Sequence, residues 1–133
     1  MSERNIIRVR DVMKTHFDRV DGMDTVASAL EKMVHVETKT LVVNKRHEHD
    51  EYGLVMLSDI ARKVLAKDRE PKRINIYEIM SKPVITVDPD MDIRYCARLF
   101  ARYDLSRAPV TKSGEVLGIV SYTDMVVKGL RKQ

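Results

Sequence analysis

The sequence predicts an α+β fold made twice over: two β-α-β-β-α units packed sheet to sheet about a pseudo-twofold axis. Three observations lead there. The chain duplicates itself, both copies carry the same order of apolar periodicities, and 133 residues hold one ordinary domain or two very small ones. Shifting residues 11–45 by 67 positions lays Met13 on Met80, Val20 on Val87, Asp21 on Asp88, Val43 on Val110 and Lys45 on Lys112. Beyond Lys45 the shift becomes 65, and Gly53 meets Gly118, Val55 meets Val120, Asp59 meets Asp124 and Lys63 meets Lys128. Like-for-like pairs fill the gaps (Val12 with Ile79, Val26 with Ile93, Leu54 with Ile119, Ser58 with Thr123), and chance does not hold one register through so many apolar positions. The repeats are residues 1–65, with an N-terminal lead-in, and 76–133. Residues 66–75 (AKDREPKRIN) are charged enough to read as a solvated linker.

Each copy opens with a short apolar strand, Phe17 to Val20 and Val84 to Val87. Turn residues follow, DGMD and DPDMD, whose acids suit a helix N-terminus. The next helix sets Val26, Ala29, Leu30 and Met33 at i, i+3, i+4 and i+7, the spacing of one buried face, and Ile93, Cys96, Ala97 and Phe100 repeat it. Two strands come next in each copy, Thr40 to Val43 with Gly53 to Leu57, and Arg107 to Thr111 with Val116 to Ser121. Polar loops (NKRHEHDEY and KSGE) that suit hairpins join them. Ser58 and Thr123 stand where helix N-caps belong, directly before Asp59 and Asp124, and open the last helix. A three-stranded sheet this small cannot cover its own face, so the copies are expected to pack on each other.

Composition removes several classes of protein. Hydrophobic residues are 44% and charged residues 33%, which excludes disorder and collagen-like structure. A chain of this mass buries about 68% of its unfolded surface, enough for a core without metal or disulfide staples. The single Cys96 excludes an intrachain disulfide and a cysteine-cluster zinc site. The charged start MSERNIIRVR is no secretory signal, and no apolar run reaches the roughly 18 residues that span a bilayer, so the chain reads as soluble and cytoplasmic. A net charge of +4, spread along the length, biases the surface mildly towards anions without marking a nucleic-acid binder.

The segment Gly118-Ile-Val-Ser-Tyr-Thr-Asp124 leaves a strand and enters a helix with two hydroxyls and a carboxylate at the junction. An aspartate there can accept hydrogen bonds from both hydroxyls of a ribose cis-diol, while Ser121, Thr123 and the free N–H groups of the helix start can hold a phosphate. Ordinary helix capping uses the same residue types, and the segment alone leaves both readings open.

The doubled motif carries a resemblance. Two β-α-β-β-α units resemble a tandem pair of cystathionine-β-synthase (CBS) domains, the Bateman module, over about Val9 to Leu130. The matching residues are Val12-Met13 and Ile79-Met80, Arg107-Ala-Pro-Val110, and the terminal motifs Gly53-Leu-Val-Met-Leu-Ser-Asp59 and Gly118-Ile-Val-Ser-Tyr-Thr-Asp124. The resemblance implies a non-catalytic regulatory module that needs no cofactor and binds AMP, ADP, ATP or S-adenosylmethionine as a regulatory ligand in clefts between the repeats. It also implies a homodimer and a regulated enzyme or transporter as partner, with nucleic acid not expected. By position, the first cleft gathers Ser121, Thr123 and Asp124 with Met13, Phe17 and Asp18 and with Thr38, Lys39 and Thr40. The second gathers Ser58 and Asp59 with Met80, Val84 and Ile85 and with Leu105, Ser106 and Arg107. The aspartates would take the ribose diol, the hydroxyls with Lys39 or Arg107 the phosphate, and apolar side chains the adenine faces.

Three departures from the family pattern make the clefts unequal and favour the Asp124 one. Met56 stands where the second copy has Ser121, Leu41-Val42 replaces Ala108-Pro109, and the first hairpin loop (His47-Glu-His-Asp50) is longer and more charged. Rival readings are a metal enzyme built on His47 and His49, with Glu48 or Asp50, and a nucleic-acid or protein-interaction module. The second would use the basic residues Arg62, Lys63, Lys67, Arg69, Lys72 and Arg73. His16, at the place of Pro83, and Cys96, at the place of Ala29, read as a surface histidine and a small core residue.

Overall fold

The computed structural model describes residues 5–132; the first four residues of the lead-in and Gln133 lie outside them. In chain order the first copy runs α1 (Val9–Val12), β1 (Asp18–Val20), α2 (Val26–Lys32), β2 (Thr40–Val43), β3 (Gly53–Met56) and α3 (Leu57–Ile60). The second runs α4 (Ile93–Tyr103), β4 (Arg107–Lys112), β5 (Glu115–Ser121) and α5 (Tyr122–Asp124). Both last helices continue as π-helical turns, Ala61–Leu65 and Met125–Gly129. The chain divides into two compact units: one is His16–Val84, and the other joins the stretch ending at Thr15 to the stretch beginning at Ile85.

In the His16–Val84 unit, β1 runs parallel to β2, and β2 pairs antiparallel with β3. Helix α2 starts at Thr25, whose Oγ1 accepts the Ser28 N–H at 3.0 Å. Its Val26 and Ala29 are fully buried with Val20, Leu41, Val43 and Val55. Leu30 departs from the predicted buried face and is 39% exposed. Its counterpart Ala97 is itself only half-buried, so this register lies at the edge of the apolar stripe, where a larger side chain projects outward. The linker is solvated through Arg73, but Ile74 is buried in the core and its carbonyl accepts the Val26 N–H.

In the other unit, β4 and β5 form an antiparallel hairpin. Its turn puts Ser113 and Gly114 at φ 52° and 79°, the left-handed pair that a two-residue hairpin turn needs. Helix α4 opens at Asp92, whose carboxylate accepts the Arg94 N–H at 2.8 Å, and buries Ile93, Cys96 and Phe100. The predicted strand Val84 to Val87 is reduced to one parallel bridge, Val87 to Val110. The next bond along that ladder would come from the N–H of residue 109. Pro109 has none, whereas Val42 at the matching place keeps its own, and β1 forms there.

The sequence repeats and the compact units differ at their edges. Val9 and Val12, from the lead-in of the first copy, are fully buried against Val120 and Met125 of the second. Ile76 and Ile79, which open the second copy, are buried with Val55 and Ile60 of the first. The crossing segments form isolated bridges, Lys14 with Ile119 and Ser81 with Leu54, at matching places. Each passes directly over the glycine of the terminal motif. A Cβ on Gly118 would collide with the Lys14 carbonyl oxygen, and one on Gly53 would lie 2.8 Å from Met80 Sδ and 3.3 Å from the Ser81 oxygen. Backbone cannot yield as a flexible thioether can. Gly118→Ala should therefore cost about 1–3 kcal/mol, and Gly53→Ala less, in urea denaturation. Equal or negligible losses at the two positions would show that the crossing segments do not need the glycines.

Candidate functional site

Asp124 is 3% exposed and sits at the entrance of the last helix. Strand β5 delivers Ser121 as the N-cap, where its hydroxyl accepts the Asp124 N–H at 3.2 Å. In return Asp124 Oδ2 accepts the Ser121 N–H at 3.2 Å and the Ser121 hydroxyl at 2.9 Å, a reciprocal cap. The other oxygen, Oδ1, meets the Lys14 ammonium in an ion pair and lies 3.7 Å from Lys128 Nζ. Arg107, paired in register with Ser121, is the third cation here. Burial pulls its guanidinium below the usual arginine range, and the charge of Asp124 partly restores it.

Asp59 holds the corresponding place in the first copy and is 4% exposed. Its Oδ2 accepts the Met56 N–H at 2.9 Å, and its Oδ1 accepts from Arg62 Nη2 at 2.9 Å. Met56 has no hydroxyl to add, and one cation stands here where Asp124 has Lys14 and Lys128, so this carboxylate carries two fewer partners than Asp124. A carboxylate offers about four acceptor positions. Asp59 keeps room for both hydroxyls of a diol, and Asp124 does not while Lys14 is in place.

The remaining predicted residues fall in both units. Met13 belongs with Ser121, Thr123 and Asp124, while Phe17, Asp18, Thr38, Lys39 and Thr40 belong to the unit of Asp59. Ser58, Asp59, Met80 and Val84 share one unit, and Ile85, Leu105, Ser106 and Arg107 the other. Thr123, Ser58 and Ser106 are exposed. Asp18 orders the chain after α2 by accepting the Val34 and His35 N–H groups at 3.0 and 2.8 Å. The Thr38 hydroxyl donates to the His35 carbonyl at 3.0 Å, ahead of Lys39, which is exposed at φ 58°. Thr40 is fully buried, and its hydroxyl has no hydrogen-bond partner among the described residues.

Lys14, the ion-pair partner of Asp124, is the residue of this candidate site that the sequence reading missed. It matches Ser81, so the repeat gave it no emphasis, and it lies 110 positions from Asp124. Also unforeseen is a cavity of about 680 Å³ inside the His16–Val84 unit, with Gly22, Asn44, Tyr77 and Lys82 in its wall; of the predicted residues only Met80 lines it. The long hairpin loop is fastened by Asp50, which accepts the Arg46 N–H at 2.8 Å and pairs with Lys82 at 2.7 Å. Lys82, then the Arg46 N–H, holds its carboxyl well below the usual range. His47 and His49 are exposed on that loop, and among the described residues no three metal-ligating side chains come together. Four of the six basic residues are engaged within the fold: Arg62 with Asp59, Lys63 with the Ile79 carbonyl, Arg69 with Glu78 and Arg73 with Glu70.

Known proteins share this construction. Residues 76–129 match the CBS domain family model. The mitochondrial CBS domain-containing protein CBSX3 of Arabidopsis thaliana is 29% identical over 128 residues, covering 89% of this chain and 62% of that protein. A hexameric CBS-CP12 protein from bloom-forming cyanobacteria is 38% identical, with a TM-score of 0.87 over 92% of this chain and 71% of its own. The CBS domain pair of protein MJ0100, in complex with 5′-methylthioadenosine and S-adenosyl-L-methionine, is 25% identical. Its TM-score is 0.79 over 97% of this chain and 100% of its own. The chain spans 57%, 62% and 58% of the length of three curated relatives.

Cys96 is fully enclosed, and burial pushes its thiol up from 9.0 to about 11. Thiolate, the nucleophilic form, is thus disfavoured in the native state. Because the native pKa is raised, the resulting stabilisation is complete below pH 9 and is lost as the pH climbs through 11. Iodoacetamide at pH 8 should label the unfolded protein quickly and the native protein only as fast as it opens. Between pH 9 and 11, Cys96→Ala should lose less stability than the wild type. Rapid stoichiometric labelling of native protein would show a reactive thiol instead.

Proposed function

The chain belongs to the CBS domain family, and from that membership we propose that it is a non-catalytic regulatory module binding an adenosine-containing ligand at Asp124 and Asp59. AMP, ADP, ATP and S-adenosylmethionine are the ligand candidates. The observation that carries the reading is the pair of buried carboxylates at matching helix entrances, each fixed by its own cap with one oxygen turned to a cation. A sugar diol is a natural partner for such a group, because two hydroxyl donors meet two acceptor oxygens without a change of charge. The bound state of the MJ0100 pair supports the adenosyl class. The internal ion pairs of the basic segment weigh against nucleic acid as the principal partner.

Regulation follows from linkage: a ligand that favours one conformation changes the affinity of whatever else prefers it. The partner would be a regulated enzyme or transporter, the working form a homodimer, and the setting the cytoplasm. A relative in the same structural class is hexameric, which is consistent with self-association. No helix among the described residues is long and apolar enough to cross a membrane.

A thermal-shift screen of AMP, ADP, ATP and S-adenosylmethionine tests the reading. A true ligand at about 100 times its Kd should stabilise the fold by roughly 2.7 kcal/mol and raise Tm visibly. Asp124→Ala and Asp59→Ala should each remove part of that gain. If neither substitution weakens a ligand that binds the wild type, the site assignment is overturned. RNA binding that survives Asp124→Ala would favour the interaction-module reading.

A further inference from the structure

We propose that Lys14 sets the ligand class of the Asp124 site: displaced from the carboxylate by an arriving ribose, its ammonium takes the ligand's phosphate. The site thereby selects anionic nucleotides such as AMP over 5′-methylthioadenosine and S-adenosylmethionine. This rests on the reading that Asp124 receives an adenosine ligand, and it adds the class of ligand and the residue that chooses it.

Three features carry the inference. First, Asp124 is crowded. Oδ2 is held by the Ser121 N–H and hydroxyl, and Oδ1 by Lys14 with Lys128 at 3.7 Å, so two ribose hydroxyls fit only if Lys14 leaves. Second, Lys14 can leave without disturbing the fold. Its backbone is fixed by two hydrogen bonds with Ile119, at 2.8 and 2.9 Å, while its side chain is 24% exposed against 3% for Asp124. Only the flexible stem has to swing. Third, positive charge gathers here: Lys14 pairs with Asp124, Lys128 lies 3.7 Å from it while donating to the Val12 carbonyl, and Arg107, in register with Ser121, feels its charge. A ligand that occupies Asp124 with neutral hydroxyls leaves the Lys14 ammonium without its carboxylate in a partly buried place. A phosphate, carrying roughly −1.5 to −2 at neutral pH, answers that charge. Methylthioadenosine brings no charge, and S-adenosylmethionine brings a sulfonium and an ammonium against a single carboxylate.

The first copy is the internal control. Ser81 stands at the place of Lys14, Thr40 at that of Arg107 and Met56 at that of Ser121. Asp59 pairs with Arg62 across the helix turn; Lys63 donates to the Ile79 carbonyl as its counterpart Lys128 does to the Val12 carbonyl, but no ion pair joins Lys63 to Asp59 among the described residues, whereas Lys128 lies 3.7 Å from Asp124. The Asp59 site can accept a diol directly, and its one paired cation, Arg62, is 66% exposed and can be solvated when displaced, so it suits uncharged adenosyl compounds.

Isothermal titration of wild type, Lys14→Gln and Lys14→Arg with AMP and with 5′-methylthioadenosine tests this. Lys14→Gln should weaken AMP about 10- to 100-fold, the loss of one charge-assisted hydrogen bond, and change methylthioadenosine less than about threefold. Lys14→Arg should keep AMP within about threefold of the wild type. In the wild type alone, raising salt from about 50 to about 300 mM should weaken AMP several-fold and leave methylthioadenosine unchanged, a readout that stands even if Lys14→Gln fails to fold. An AMP to methylthioadenosine ratio unaltered by Lys14→Gln, or identical salt dependence for the two ligands, overturns the role of Lys14 and leaves the adenosine reading intact. A wild type that binds no adenosine compound overturns both.

Discussion

Two pairs of reciprocal backbone hydrogen bonds, Lys14 with Ile119 and Ser81 with Leu54, hold each crossing segment against the strand of the other repeat. They bring backbone close over backbone, an approach that a residue without a side chain allows most easily. Gly118 and Gly53 supply that contact. The core depends on it: Val9 and Val12 fill one unit and Ile76 and Ile79 the other, so each repeat is finished by a segment borrowed from its copy. A repeat of about 55 residues has too little interior to stand alone, and the exchange enlarges both cores at once.

The same crossing determines what lies beside the helix entrances. Residue 14 in one unit and residue 81 in the other are pinned by equivalent hydrogen bonds to equivalent strands. A change of residue type there alters local charge without altering the path of the chain. Lysine in one copy and serine in the other therefore give two similar backbones with different electrostatics. Arg107 against Thr40 and Ser121 against Met56 push in the same direction. Duplication has kept the scaffold and let the chemistry of the two sites separate.

The fold was legible in the sequence because duplication doubled every signal. Helices α2 and α4 and strands β2 to β5 lie where periodicity puts them, but the last helices start two residues earlier than predicted: Met56 and Ser121 are the N-caps, and Ser58 and Thr123, expected there, lie inside the first turn. Departures arose where a single atom or a distant contact decided the outcome. The strand before Val87 is truncated because Pro109 lacks one N–H, a consequence visible only once the parallel pairing is known. Leu30 follows the apolar period yet lies at its margin, since period fixes direction and not depth. Ile74 was hidden within a charged run, and Lys14 lay outside the motif and differed between the copies. Alignment of a chain with itself highlights what the halves share, so it passes over residues that make them unequal.

Capping and ligand binding, which compete as readings of the sequence, are complementary in the structure. In each copy one carboxylate oxygen is committed to the backbone of its own helix, which fixes the rotamer and aims the second oxygen. Burying that charge is costly unless it stays paired, and Lys14 and Arg62 provide the pairing. Any ligand that takes the second oxygen must leave the displaced cation with a partner of its own. At Asp59 the guanidinium of Arg62 is 66% exposed and can be solvated. At Asp124 the displaced Lys14 is only 24% exposed, so a ligand that takes its place has to bring an anion with it.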